Sequence, residues 1–193
     1  VGAHLSPLVV VAAQEQVESE AFRNCKSLTT VIIPKGCKHI ESDAFSGCAS
    51  LKKIILPDGL IDIDDSAFWG CSSLRKITLP DSLTSIGESA FYGCSSLREI
   101  NFPDSLTSIG SLAFDGCGAL KKVTIPATTK IGIFAFEDDS GELTIYSYTN
   151  SFAEEYANQN EIKFVSLGIA EDPRYQYTIT DGKATLTAYR GDE

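Results

Sequence analysis

Apolar residues recur along this chain in one fixed order. In Leu97-Arg98-Glu99-Ile100-Asn101-Phe102-Pro103 the apolar positions are Leu97, Ile100 and Phe102, and the last three residues before the proline alternate. Such alternation predicts a short, half-buried strand whose flanking polar residues face the other way. Proline cannot donate to a ladder, so Pro103 ends the strand and Asp104-Ser105 open a turn. Leu106 and Ile109 then point back inside, Ala113 and Phe114 sit on a short helical or irregular turn, and Gly116-Cys117 follow.

The whole order returns every 23 residues. Cys25, Cys48, Cys71, Cys94 and Cys117 keep that interval, as do Phe22, Phe45, Phe68, Phe91 and Phe114. Pro34, Pro57, Pro80, Pro103 and Pro126 keep it too, and so do Leu28, Leu51, Leu74, Leu97 and Leu120. A fixed period of this size is the signature of a solenoid, in which each repeat contacts only its neighbours. Equivalent strands should therefore pair in parallel about 4.8 Å apart, with columns of Leu, Ile and Phe inside. About six coils are expected by this reading. Gly47, Gly70, Gly93 and Gly116 share one position, which predicts a positive φ there.

Both ends depart from the pattern. Shifting Leu28, Val31 and Ile33 back by one period lands on Leu5, Leu8 and Val10, so LSPLVVV reads as a degenerate first strand. No basic region precedes it, which argues against a signal-peptide remnant, and Pro7 suits an edge strand. Val17 to Phe22 matches Ile86 to Phe91. One residue is missing after Pro126, residues 135–143 are shortened further, and Leu143 to Tyr146 reads as the last repeat strand. Ser151-Phe152-Ala153-Glu154 is a capping box opening a helix, and Phe152 and Tyr156, one turn apart, are expected to cover the last coil. Ile162 to Val165 follows as a strand. Residues 166–174 read as a linker, and Tyr175–Thr180 and Lys183–Tyr189 flank Asp181-Gly182, a two-residue hairpin signal. The expected organisation is a repeat array over 1–150, a cap over 151–165, and a linker plus hairpin over 166–193 that opens a further domain. The chain begins at Val1 and has no methionine, as expected of a mature or excerpted segment.

The consensus Leu-x-x-Ile-x-Leu-Pro-x-x-Leu-x-x-Ile-x-x-x-Ala-Phe-x-Gly-Cys resembles the BspA-like, Treponema-type leucine-rich repeat, over roughly residues 5 to 165. SFAEEYANQNEIKF resembles the C-terminal cap of such arrays, and YTITDGKATLTAY resembles the opening segment of many of these proteins. The resemblance implies an α/β solenoid: a right-handed leucine-rich-repeat superhelix of 22–23-residue repeats, with a short parallel sheet, a helical C-terminal cap and a β-hairpin tail. It also implies a secreted or cell-surface bacterial protein, whose better-known relatives are adhesins toward host or bacterial proteins. The family has no common catalytic motif to carry over, and its ligand is not encoded in the consensus; no cofactor is expected.

Charge and chemistry refine this picture. The net charge of −10 argues against a nucleic-acid partner and against adsorption to an anionic membrane. No apolar run approaches the roughly 20 residues needed to cross a bilayer. Yet cations gather on the strand. One column reads Thr29, Lys52, Arg75, Arg98, Lys121, and the next Thr30, Lys53, Lys76, Glu99, Lys122. These columns hold seven of the 16 Lys and Arg; with Glu99 subtracted they carry +6, leaving −16 for the rest of the −10 chain. Like charges about 5 Å apart repel by about 0.8 kcal/mol per neighbour at the dielectric of water. An acidic ligand would relieve that repulsion; the alternative is a solvated face that only keeps the sheet soluble. Ile32 and Ile55, in a third column ahead of Thr78, Asn101 and Thr124, add an apolar patch near the N-terminal end.

Trp69 and Tyr92 follow the core Phe in their repeats, where they either pair as an outer aromatic contact or pack into the neighbouring coil. The six cysteines lack zinc spacing, and parallel columns do not let their Cβ vectors converge into disulfides. They read as buried small hydrophobes. His39 occupies a solvent-facing slot with Asp62, Ser85 and Ser108, and nothing arranges it with a nucleophile. The reading that results is a non-enzymatic protein-binding module that docks host or bacterial surface proteins on its strand face. A structural spacer without a ligand, and a module for anionic or sulfated glycans, are the alternatives.

Overall fold

The structure, a computed structural model, describes residues 8–11, 14–137, 142–169, 175–180 and 183–189. Three-residue strands recur once per coil at Leu8–Val10, Thr30–Ile32, Lys53–Ile55, Lys76–Thr78, Glu99–Asn101 and Lys122–Thr124, and Thr144–Thr149 continues the column. All pairings in the solenoid are parallel, and the coils number about seven rather than six. The middle residue of each three-residue strand from Val31 to Val123 is buried and its neighbours face out, as the alternation requires.

A second parallel sheet runs through six of the coils and does not follow from the sequence pattern. Its six strands are Gln16–Val17, His39–Ile40, Asp62–Ile63, Ser85–Ile86, Ser108–Ile109 and Lys130–Ile131. Each is two residues long, too short for alternation to announce it. Between this sheet and the next coil the chain returns through turns, with no helix, so the array is a parallel-strand β-solenoid and its only described helix is the cap. The turn arc carries its own ladder. Phe45, Phe68 and Phe91 each donate a backbone N–H to the carbonyl of Ala67, Ala90 and Ala113 in the following coil, at 2.8 Å. The turn-arc backbone is thereby paired from coil to coil.

Inside, identical residues stack on one another. Phe22, Phe45, Phe68, Phe91, Phe114 and Phe136 form one column of nearly parallel rings 5.1–5.3 Å apart. Phe45, Phe68 and Phe91 are fully buried, with Leu51, Leu74 and Leu97 alongside. Each such side chain contributes about 1.5–3 kcal/mol by leaving water. Gly47, Gly70, Gly93 and Gly116 have φ of +67 to +73°, as predicted. Gly110 does different work. A Cβ there would lie 2.5 Å from the backbone N of Glu88, so the second sheet turns its corner in contact with the coil before it.

The first repeat is in a different register from the one expected. Val9, not Leu8, pairs with Val31, and Val9 packs against the core while Leu8 is 51% exposed. The interval there is 22, and Gln16 opposite His39 restores 23, so one residue is missing between the two strands of this coil. A one-residue shift exchanges the faces of a strand, which is why Leu8 turns outward. Leu5, Pro7 and His4 lie outside the described residues. The slip after Pro126 is as read: Lys130 pairs with Ser108 and Ile131 with Ile109.

At the C-terminal end a helix runs from Phe152 to Gln159. Ser151 Oγ accepts from the Glu154 N–H at 3.1 Å, and the Glu154 carboxylate accepts from the N–H of Asn150 rather than that of Ser151. Ala153, Tyr156 and Ala157 form the buried stripe, and Tyr156 meets Phe136 edge-on, its hydroxyl accepting the Phe136 N–H at 3.0 Å. Phe152 does not cover the coil as expected. It falls on the flank of that stripe and is 47% exposed. The strand after the helix extends from Lys163 to Ile169, so the first part of the expected linker is strand. Tyr175–Thr180 and Lys183–Tyr189 pair antiparallel as expected; Asp181-Gly182 and residues 170–174 lie outside the described residues.

The ring column should dominate stability. Phe68→Ala is expected to cost about 3–5 kcal/mol by urea denaturation followed by circular dichroism. Phe22→Ala, at the partly exposed end of the column, should cost less than half as much.

Candidate functional site

The strand sheet turns its polar side to solvent, and the repeat decides what stands there. Lys52, Lys53, Arg75, Lys76, Arg98, Lys121 and Lys122 are all exposed, in the two columns expected of them. Lys53, Lys76 and Lys122 lie on the strands proper; Lys52, Arg75, Arg98 and Lys121 stand at the strand entrances. The backbone ties the entrances together, as where Lys52 N–H donates to Thr29 O and Arg98 N–H to Arg75 O.

Two of the seven cations have carboxylate partners. Lys76 Nζ lies 2.7 Å from Glu99 in the next coil, and Lys121 Nζ lies 2.7 Å from Glu142. The hydrogen bond and charge of Lys76 hold the Glu99 carboxyl below its ordinary range, and Lys122 adds to that pull. Among the described residues Lys52, Lys53, Arg75, Arg98 and Lys122 make no ion pair. The remaining surface of this column carries Ile32, Ile55, Thr78, Asn101, Thr124 and Tyr146, with Ile55 42% exposed. Ile55 and Ile32 thus form the apolar patch read from the sequence. Tyr146 was not read as a site residue, although it lies in register with Thr124, and the face is indented around it.

Trp69 and Tyr92 do pair, with near-parallel rings and centroids 6.0 Å apart. Trp69 stays 45% exposed, so it is not packed into the neighbouring coil. The pair sits beside the Phe column on the turn arc, away from the basic strands. The structure therefore brings the seven cations onto one face and leaves the two aromatics on another.

The remaining chemistry is structural. Cys37, Cys48, Cys71, Cys94 and Cys117 are buried and Cys25 is partly buried, all as free thiols. Beyond filling space, four of them donate to carbonyls of the preceding coil: Cys48 to Phe22 at 3.0 Å, and Cys71, Cys94 and Cys117 to Phe45, Phe68 and Phe91 at 3.3 Å. Burial pushes the thiols of Cys48, Cys71 and Cys94 up, Cys48 to about 12 and Cys94 well above the ordinary value. A thiol kept protonated in this way is a poor nucleophile and a poor metal ligand. His39 has a partner: its Nδ1 lies 2.7 Å from Asp62 of the next coil, in the column where both were placed. Ser85 follows Asp62 in that column, one coil further from His39. No group of three or more potential metal ligands occurs among the described residues.

Comparison with known proteins agrees with this geometry. The family model for the BspA type leucine-rich repeat region matches residues 15–143 in 6 copies. A leucine-rich repeat protein of T. pallidum superposes with a TM-score of 0.62 at 27% identity, covering 84% of this chain and 86% of that one. A leucine-rich cell surface protein of Faecalibacterium prausnitzii gives 0.63 at 37% identity, covering 69% of this chain and 36% of that one. The pneumococcal vaccine antigen PcpA gives 0.66 over 86% of this chain and 42% of that one, at 18% identity, a likeness of fold alone. None of the curated proteins matches the chain.

The thiol column predicts an alkaline weakness. Above pH 9.0, the ordinary thiol value, unfolded cysteines ionise while the buried ones stay protonated. The unfolded chain then binds fewer protons, so stability falls with pH, by up to about 1.4 kcal/mol per unit for each buried thiol, until the folded value is passed. Urea midpoints between pH 8 and 10.5 should fall more steeply for the native chain than for a Cys71→Ala/Cys94→Ala variant. Parallel slopes would contradict this.

Proposed function

Because the chain belongs to the BspA-type leucine-rich-repeat family, we propose that it is a non-enzymatic module that captures another protein on its strand face. Repeats of this family are generally protein-interaction modules, and structural neighbours include a cell surface protein. The finer reading is adhesion: an exported bacterial segment that binds a host or bacterial surface protein through an acidic patch. One observation carries it. Among the described residues five strand-face cations make no ion pair with a carboxylate, stacked at coil spacing over a buried Ile and Val row, on a chain whose net charge is −10.

That arrangement costs folding free energy and gains nothing internally, so its return comes from a partner. Complementary charge raises association rates and fixes orientation more than it raises affinity. The neighbouring Ile55 and Tyr146 supply apolar surface, which charge alone does not. In this reading residues 1–150 and the cap form the binding unit, and the hairpin opens a further domain. Trp69 and Tyr92 are a second, separate contact on the turn arc. No helix of the described residues is long and apolar enough to cross a membrane.

The test is a screen of extracellular proteins and glycans at low and physiological salt, with the native chain beside a Lys52→Glu/Arg75→Glu/Arg98→Glu/Lys121→Glu variant of confirmed fold. The reversal should weaken a protein hit by at least about tenfold, while Trp69→Ala/Tyr92→Ala should change it by less than about threefold. The opposite pattern would move the site to the turn arc. Capture of sulfated glycans alone would replace the protein ligand, and no hit at all would leave a spacer.

A further inference from the structure

The strand face is not uniform along the array. Its C-terminal half is indented by two overlapping depressions of about 550 Å³ and 690 Å³, both bordered by Arg98, Glu99, Lys122 and Tyr146. They lie over the junction between the Glu99–Asn101 and Lys122–Thr124 strands, where the hydrogen-bond ladder changes hands: the former strand is bonded to Lys76–Thr78, the latter to Thr144–Thr149. We propose that this junction is a pocket for an acidic peptide segment of the partner, with a carboxylate held between Arg98 and Lys122 and an adjacent apolar side chain against Tyr146. The proposal rests on the strand-face reading and sharpens it to a place and a ligand chemistry.

Each border residue suits that role. Arg98 has no ion-pair partner among the described residues, and a guanidinium offers a planar fork that binds a carboxylate through two hydrogen bonds. Lys122, from the next coil, brings a second positive charge to the same depression and makes no ion pair among the described residues. Tyr146 is half-buried, so its ring is already ordered and offers an apolar face and a hydroxyl at little entropic cost. Asn101 and Thr124 complete the floor with groups that can pair with a peptide backbone.

Glu99 decides between acidic ligands. It sits between Lys76 and Lys122 and is hydrogen-bonded only to the former, at 2.7 Å. The face therefore reads plus, minus, plus along the column. A polyanion with a charge on every unit would meet that carboxylate when seated in this depression. A peptide with spaced carboxylates would not. Toward the N-terminal end the positions in register with Tyr146 are Thr78, Ile55 and Ile32, so no aromatic ring stands there.

The test uses fluorescence anisotropy of two labelled peptides of about 12 residues, one with spaced Glu residues and a central Phe, one with the Phe replaced by Gly. A heparin hexasaccharide serves as the polyanion. The native chain is compared with Arg98→Ala/Lys122→Ala, with Lys52→Ala/Lys53→Ala, which removes equal charge at the other end, and with Tyr146→Ala, each of confirmed fold. Loss of at least about tenfold in the first variant, less than about threefold in the second, and a Tyr146→Ala defect seen only with the Phe peptide would support the pocket. Equal losses in both double variants would overturn the pocket and leave strand-face binding in place. Peptide binding indifferent to both would overturn strand-face binding as well. Heparin binding without peptide binding, or no binding of either peptide at millimolar concentration, would overturn the pocket.

Discussion

In a solenoid with a fixed repeat, the nearest neighbour of every side chain is its own copy in the next coil. That constraint governs everything here. It is favourable for Phe45, Phe68 and Phe91, whose rings stack at 5.1–5.3 Å and exclude water from the corner of each coil. It is acceptable for the thiols, which are small and which reach sideways to a carbonyl rather than toward each other. For cations it is unfavourable, since like charge lies beside like charge at every step. The array relieves the problem only locally, with Glu99 beside Lys76 and Glu142 beside Lys121. What is left over on the strand face is the basis of the functional reading.

The same periodicity made most of the fold legible from sequence. One coil, parsed once, placed the strand, the proline stop, the left-handed glycine and the inward Leu, Ile and Phe in every other coil. Legibility failed where periodicity did. The first strand was misplaced by one residue because Leu8, Val9 and Val10 are all apolar, and only the pairing of Val9 with Val31 reveals which of them faces in. The second sheet escaped notice because two residues cannot show alternation. Gly87, Gly110 and Gly132 follow its strands and mark a close backbone approach, a signal present in the sequence but masked by the acidic residues that take this position in earlier coils. Phe152 misled because residues four apart are offset by part of a turn, so Tyr156 falls within the buried stripe while Phe152 falls on its flank.

The candidate site was legible to a different degree. Its columns follow from the period, so the seven cations were found as a group. Their pairing was not, because the reach of Lys121 to Glu142 depends on a shortened coil in which the period no longer counts. Tyr146 was missed for the same reason: it stands 22 residues after Thr124, not 23. His39 and Asp62 were placed in one column, yet their hydrogen bond depends on side-chain geometry that spacing cannot supply. Trp69 and Tyr92 show the reverse case, since both alternatives for them were open until the exposure of Trp69 was known.

Amide hydrogen exchange of the native chain, alone and bound to a protein retained by it in the extracellular screen, addresses docking on the strand face most directly. Protection is expected at residues 52–55, 75–78, 98–101 and 121–124, strongest around 98–101 and 121–124, with the turn arc at 66–70 and 89–93 unchanged. Protection confined to the turn arc, with the strand segments exchanging as in the free protein, would contradict the account.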